Sequence, residues 1–187
     1  MNKYIESEVL ELKEKYTDTI AKEIVSFLNT TGGIILIGVK DNGTVIGVNK
    51  IDEVLRKISD IITSQIEPNP QDEIKSELQF DEGKTIIAIH INKGRNHIYC
   101  QKKYGFSSAG CTIRIGTTCK EMTFDQIKIR YEKKFMDTEY MLKKRSNLSD
   151  LSFRELKIYY SEKGYHLEDK SFETNLNLRN EAGEYNL

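Results

Sequence analysis

The stretch Asn29-Thr30-Thr31-Gly32-Gly33-Ile34-Ile35-Leu36-Ile37-Gly38-Val39-Lys40-Asp41-Asn42-Gly43 restricts the fold more than any other part of the chain. From Ile34 to Val39 it is an apolar run too short for a helix and rich in β-branched residues, which reads as a strand buried on both faces at the centre of a sheet. Ahead of it, from Asp18 onward, Ile20, Ile24, Phe27 and Leu28 recur with helical spacing, and Gly32-Gly33 stands where a left-handed C-terminal cap is needed. Behind it, Asp41-Asn42-Gly43 tolerates positive φ, which predicts that Thr44 to Val48 returns as a hairpin strand. The junction also delivers one carboxylate, Asp41, to the strand end, toward the acidic segment Glu6 to Glu14.

The remaining periodicities place further elements around this strand. Val9, Glu11 and Lys13 alternate with Leu10 and Leu12, which suits a short strand with Glu11 and Lys13 on one face. Ile51, Val54, Leu55, Ile58, Ile61 and Ile62 predict a second amphipathic helix, ended by Pro68-Asn69-Pro70. Ile74 to Phe80 and Thr85 to Asn92 form a hairpin across Asp81-Glu82-Gly83, with Ile87, Ile89 and Ile91 on the core face. Short strands are expected at His97 to Gln101 and Thr112 to Gly116, and Thr123 caps a third helix running to about Lys134. A last helix is expected from Asp150 through Tyr160, after a polar, basic stretch at Lys143 to Asn147.

Charge and cysteine usage narrow the function classes. Lys and Arg number 28 against 29 Asp and Glu, a formal net charge of -1, so any nucleic-acid site must be a local patch rather than a global excess of positive charge. Cys100, Cys111 and Cys119 form no CxxC pair, which favours small reduced thiols over a zinc site shared with His90 or His97. The start of the chain has no apolar core of secretory length, and no apolar run approaches a bilayer span. A cytoplasmic protein with no membrane association is expected.

Three constellations could carry chemistry. Gly32-Gly33 offers bare backbone amides to an anion, but phosphate fingerprints run strand, glycine loop, helix, whereas this chain runs helix, glycines, strand; the helix cap is favoured. Glu6, Glu11 and Asp41 could jointly hold Mg²⁺ or Mn²⁺ and activate water for phosphodiester cleavage, or could form a solvated acidic edge. Residues five apart point to opposite strand faces, so Glu6 would have to reach such a site from a bend or bulge. Lys102, Lys103, Arg114, Lys120, Arg130, Lys133 and Lys134, interleaved with Tyr104, Phe106 and Tyr131, have the makings of a nucleic-acid surface. Glu121, Asp125 and Glu132 among them also allow an ordinary mixed surface.

Glu6-Ser7, Glu11-Leu12-Lys13, Phe27 to Gly33, Ile37 to Gly43, Ile46-Gly47-Val48, and later Gly110 to Thr117 followed by Met122-Thr123 resemble, in the same order, the Schlafen-type AlbA domain. The resemblance implies an α+β fold, a mixed, largely antiparallel sheet flanked by helices, over residues 1–134. Residues 135–187 would then be a linker and helical C-terminal extension, where related chains continue into further domains. Bacterial members are described as DNA-binding modules or transcriptional regulators, so DNA or RNA is the expected partner, with Lys13, Lys102, Lys103, Arg114 and Lys120 on phosphates. Vertebrate Schlafens that cleave RNA use two glutamates and one aspartate, which by motif correspond to Glu6, Glu11 and Asp41, the set that would hold Mg²⁺ or Mn²⁺. Leu12 stands where the family often has Phe, and Ile98 where a proline often precedes Tyr99. The vertebrate enzymes clamp RNA between two lobes, so a single-lobed chain is expected to act as a homodimer.

Overall fold

The computed structural model describes residues 3–136, 152–165, 172–175, 178–179 and 183–185, with side chains described through residue 133 of the first stretch. The chain forms two compact units, Met1–Tyr131 and Glu132–Leu187.

The first unit is built on a four-stranded sheet. Its strands are β1 (Leu10–Lys13), β2 (Gly32–Ile37), β4 (Ile74–Asp81) and β5 (Lys84–Asn92), in the order β1-β2-β5-β4. β2 is interior and pairs parallel with β1 and antiparallel with β5, because helix α1 (Ile20–Leu28) carries the chain across from β1 to β2. The sheet is therefore mixed and largely antiparallel, and the fold is α+β.

Burial on both faces of β2 follows from its apolar run. Ile35 and Ile37 join Ile87, Ile89 and Ile91 beneath α1 and helix α2 (Ile51–Asp60), while Leu36 joins Leu12, Val39, Val45, Ile86 and Ala88 on the opposite face. The β4–β5 hairpin closes through Glu82-Gly83 with φ of 48° and 74°, the left-handed pair that a two-residue turn between twisted strands requires.

Beside the main sheet lie two small pairs. β3 (Ile66–Glu67) pairs with β6 (Cys100–Gln101), and β7 (Thr112–Ile115) pairs with β8 (Thr118–Glu121). Ile98, Cys100, Cys111, Ile113, Met122 and Ile127 form their own buried cluster. Helix α3 (Phe124–Met136) opens with reciprocal capping: the Gln126 amide N–H reaches Thr123 Oγ1 at 3.3 Å, and the Thr123 amide N–H reaches Gln126 Oε1 at 3.0 Å.

Asn29, at the end of α1, ties these parts together. Its Nδ2 donates to the carbonyls of Tyr99 (2.9 Å) and Thr112 (3.0 Å), and its Oδ1 accepts from the Tyr99 amide (2.7 Å). Its own carbonyl accepts from Arg130 Nη1 of α3 at 2.9 Å.

Several boundaries differ from expectation. α1 ends at Asn29 in ordinary right-handed geometry, and Gly32, with φ of 83°, opens β2 instead of capping the helix. Thr44 to Val48 is a loop held by one bridge, Val39 to Val45, and by the Ile46 and Gly47 amides donating to the Gly38 carbonyl. α2 does not run to the prolines. It passes into a π-helical turn, Ile61–Gln65, before β3. His97 to Gln101 contributes only two residues to a strand, and β8 is a strand beyond those expected from the pattern.

In the second unit, helix α4 (Arg154–Glu162) and the short α5 (Phe172–Asn175) are described, and Phe153 sets its ring edge-on to Phe172 at 5.6 Å. The basic stretch 143–147 and the expected helix start at Asp150 lie outside the described residues.

Candidate nucleic-acid interface

Strand alternation decides where the acidic candidates go. Glu11 pairs across β1–β2 with Ile35, and Lys13 with Ile37, so both side chains share the face covered by α1. There Glu11 is buried beside Glu23 of α1 and Arg114 of β7.

The Arg114 side chain is 0% exposed. Its Nη2 lies 2.6 Å from Glu11 Oε2 and donates to the carbonyls of Ser7 (3.0 Å) and Leu10 (3.2 Å), while its Nη1 lies 3.4 Å from Glu23 Oε2. The guanidinium also sits 4.7 Å from the Phe27 ring centroid, and its Nε is buried without a hydrogen-bond partner among the described residues. Lys13 Nζ completes the group by pairing with Glu11. Two carboxylates and two cations thus neutralise one another, with Arg114 and Glu11 buried and Glu23 and Lys13 half-buried at the rim, an arrangement that is costly to break from one side.

Titration follows the same geometry. Burial first, then the neighbouring Glu11 charge, pushes the Glu23 carboxyl above its ordinary value, against the pull of Lys13 and Arg114. Burial alone would lower Lys13, but the hydrogen bond and field of Glu11 outweigh it and the net shift is upward.

The other two acids stand apart from this group. Glu6 folds back so that its Oε1 accepts the Leu12 amide at 3.3 Å, closing the outer edge of β1. Asp41 is exposed in the turn after β2, where the Lys40 amide donates to the Thr44 carbonyl and the Gly43 amide to the Lys40 carbonyl. Among the described residues no three His, Cys, Asp or Glu side chains come together to hold a metal ion. The Glu6, Glu11 and Asp41 set expected to bind Mg²⁺ or Mn²⁺ is not assembled in this arrangement, because Glu11 is already committed to Arg114 and Lys13 and Glu6 to the backbone of β1.

The basic candidates divide in two. Arg114, expected on a phosphate, is instead a buried structural cation, and Lys13 is half-withdrawn against Glu11. Arg130 is engaged with the Asn29 carbonyl, and the Lys134 side chain lies outside the described residues. Lys102, Lys103 and Lys120 are exposed.

Lys102 and Lys103 follow β6 directly and border a cleft of about 510 Å³, whose lining also includes Ser64, Gln65, Gln101, Tyr104 and Asp18. The π-helical turn brings Ser64 and Gln65 to this wall, where the Lys102 amide donates to the Gln65 carbonyl at 2.8 Å. Tyr104 is 47% exposed, and Lys103 Nζ lies 5.1 Å from its ring centroid. Phe106, another expected stacking ring, packs edge-on to Tyr131 at 5.3 Å. The residues around the cleft are therefore two lysines, a tyrosine, two glutamines, a serine and one aspartate, with the Gln101 amide donating to the Ala109 carbonyl at 3.4 Å.

Sequence reasoning missed Glu23, Gln65 and Asn29. Glu23 lies on a helix whose apolar period falls on other positions, and only the contact with β7 makes it distinctive. Asn29 stands in the junction stretch, where the sequence alone does not show its bonds to Tyr99 and Thr112. A polar residue directly after an apolar helix stripe, before the glycines, was the available signal.

A four-stranded mixed sheet carrying α1 and α2 on one face, with a small β7–β8 hairpin leading into α3, defines the class of domain. The family described as "Schlafen, AlbA_2" matches residues 6–123, and the chain belongs to it. Among solved structures, the DIP2311 protein from Corynebacterium diphtheriae is similar at 16% identity and a TM-score of 0.50, over 96% of this chain and 34% of that one. The chain thus spans about a third of that protein. The N-terminal domain of a RecG-related protein from Nitrosomonas europaea is similar at 18% identity and a TM-score of 0.42, over 62% of this chain and 82% of that one. No curated protein matches the chain. Among the described residues no helix is long and apolar enough to cross a membrane.

Proposed function

We propose that the chain is a nucleic-acid-binding module, acting in the cytoplasm as part of a transcriptional regulator or defence protein, with residues 1–134 forming the binding domain. Membership of the Schlafen AlbA_2 family supports the class. The observation that carries the reading is the cleft beside β6, where Lys102 and Lys103 can neutralise phosphates while Tyr104 offers a stacking face and Gln65 and Gln101 offer hydrogen bonds to base edges. An unpaired base fits such a cleft better than a stacked duplex, because only a splayed base presents both a face and an edge. Lys120 on β8 would extend the phosphate contacts, and two copies would act together.

The test is a titration of labelled single-stranded and duplex oligonucleotides across a range of salt. Wild-type binding should weaken steeply with salt, and the double variant Lys102→Ala/Lys103→Ala should flatten the logarithmic salt slope by about 1.5. Tyr104→Ala should weaken single-stranded binding with little change in that slope. No association at low salt would overturn the reading. RNA fragments that appear with Mn²⁺ and vanish in Asp41→Asn would instead support the alternative, a metal-dependent endoribonuclease.

A further inference from the structure

The two edges of the main sheet are treated differently. The β1 edge is closed: Glu6 caps the Leu12 amide, the Leu10 amide donates to Ser7, and Arg114 covers the carbonyls of Ser7 and Leu10. The β4 edge is not closed in this way. β4 is an eight-residue strand paired on one side only, with β5. The two-residue turn at Glu82-Gly83 makes Asp81 and Lys84 the hydrogen-bonded closing pair. By alternation, the N–H and C=O groups of Ser76, Leu78 and Phe80 then point away from the sheet, and among the described residues no other backbone group bonds to them.

Two of these residues expose their side chains as well. Leu78 is 52% exposed and Phe80 78%, side by side on one face of the strand. A long edge, paired on one side only and carrying adjacent large apolar side chains on one face, is a template for another strand that can match the charges of Lys75, Glu77 and Asp81 on the other.

We propose that β4 is the surface through which two copies of this chain pair, antiparallel and centred on Leu78, extending one sheet into the next. This names the surface for the pairing of copies proposed above, and it does not depend on what the pair binds. A two-fold axis normal to the sheet keeps corresponding faces together, so only residues of the same face can oppose one another. Centred on Leu78, the register sets Leu78 against Leu78 of the second copy, Phe80 against Ser76, Lys75 against Asp81, and Glu77 against Gln79. Leu78 is also one of the residues whose backbone groups point outward, so the central pair is hydrogen-bonded.

Neighbouring registers are worse. Centring on Glu77 sets Glu77 against its own copy, and centring on Gln79 sets Glu77 against Asp81. Each brings like charges into direct opposition. Centring on Ser76 pairs Lys75 with Glu77 but pushes Phe80 past the end of the opposing strand, against the turn at Gln71–Glu73.

The experiment is light scattering on the full chain across a dilution series, with Leu78→Lys and Phe80→Lys as variants and thermal melting to check that each folds. The wild type should show the mass of two chains at high concentration, and each variant should weaken pairing by about tenfold or more, since Leu78→Lys sets like charges directly against each other and Phe80→Lys replaces an apolar ring at both ends of the seam with a charge that has no partner opposite. Leu78→Cys, in a Cys119→Ser background, should oxidise to a crosslinked pair, because directly opposed strand residues lie within disulfide reach. A single-chain mass throughout, pairing unchanged in folded Phe80→Lys, or no crosslink in a paired Leu78→Cys sample would overturn the proposal. Oligonucleotide titration of the same samples separates this failure from failure of the binding reading: a single-chain protein that still binds loses only the pairing, and a pair that binds nothing loses only the binding.

Discussion

Arg114 shows how a charged residue can belong to the interior. Its guanidinium reaches two carboxylates and two carbonyls and lies against Phe27, so truncating it leaves Glu11 with Lys13 alone and Glu23 with no arginine partner in a largely desolvated place. Arg114→Ala is expected to cost about 3–5 kcal/mol of stability, measured by urea denaturation. Arg114→Lys should recover little of it, because an ammonium lacks the fork that spans these partners. Glu23 gives the same cluster a pH signature. Its carboxyl titrates above the ordinary value of 4.5 in the folded chain, so it contributes stability below that value and the contribution drains away as pH rises through the higher folded value. Glu23→Gln should remove this part of the pH profile, read as a flatter change of melting temperature through that window. Neither role was legible in the sequence. A lone arginine in a strand reads as a surface cation, and its partners lie as far as 107 positions away along the chain.

Among the elements, the pieces whose pattern is local came through best. The β4–β5 hairpin, with its alternating isoleucines and left-handed turn, and the Thr123 cap of α3 are set by neighbours within a few residues, and they stand where the pattern placed them. The Gly38 to Val48 return and the late part of α2 did not, because distant partners hold them: the Val48 amide donates to the Thr85 carbonyl of β5, and the Lys102 amide to the Gln65 carbonyl of the π-helical turn. The same competition explains Gly32. A Cβ there would lie 2.5 Å from the Ile91 carbonyl oxygen, and its φ of +83° disfavours any side chain. Gly32→Ala is expected to lose about 1–3 kcal/mol in thermal or chemical unfolding. The glycine was recognisable in the sequence as a junction, but its reason is a backbone approaching from β5 rather than a helix cap.

For the whole molecule, stability and binding should separate cleanly. Lys102, Lys103 and Lys120 are exposed, so substituting them with Ala should change unfolding free energy by about 0.5 kcal/mol or less, while Arg114→Ala changes it severely. Melting temperature and oligonucleotide affinity measured on the same variants would show this, and a lysine variant that unfolds the domain would contradict the division. The near-zero net charge fits the proposed binding surface of a few exposed lysines beside a self-neutralised interior. Asn29, finally, turns the domain into something that can be read at one atom. The Tyr99 amide proton is held by Asn29 Oδ1, while the same side chain grips Thr112 and the same residue ends α1. Solvent deuterium can reach that proton only when helix end, loop and hairpin come apart, so a single resonance would serve as a gauge of how tightly the first unit holds together.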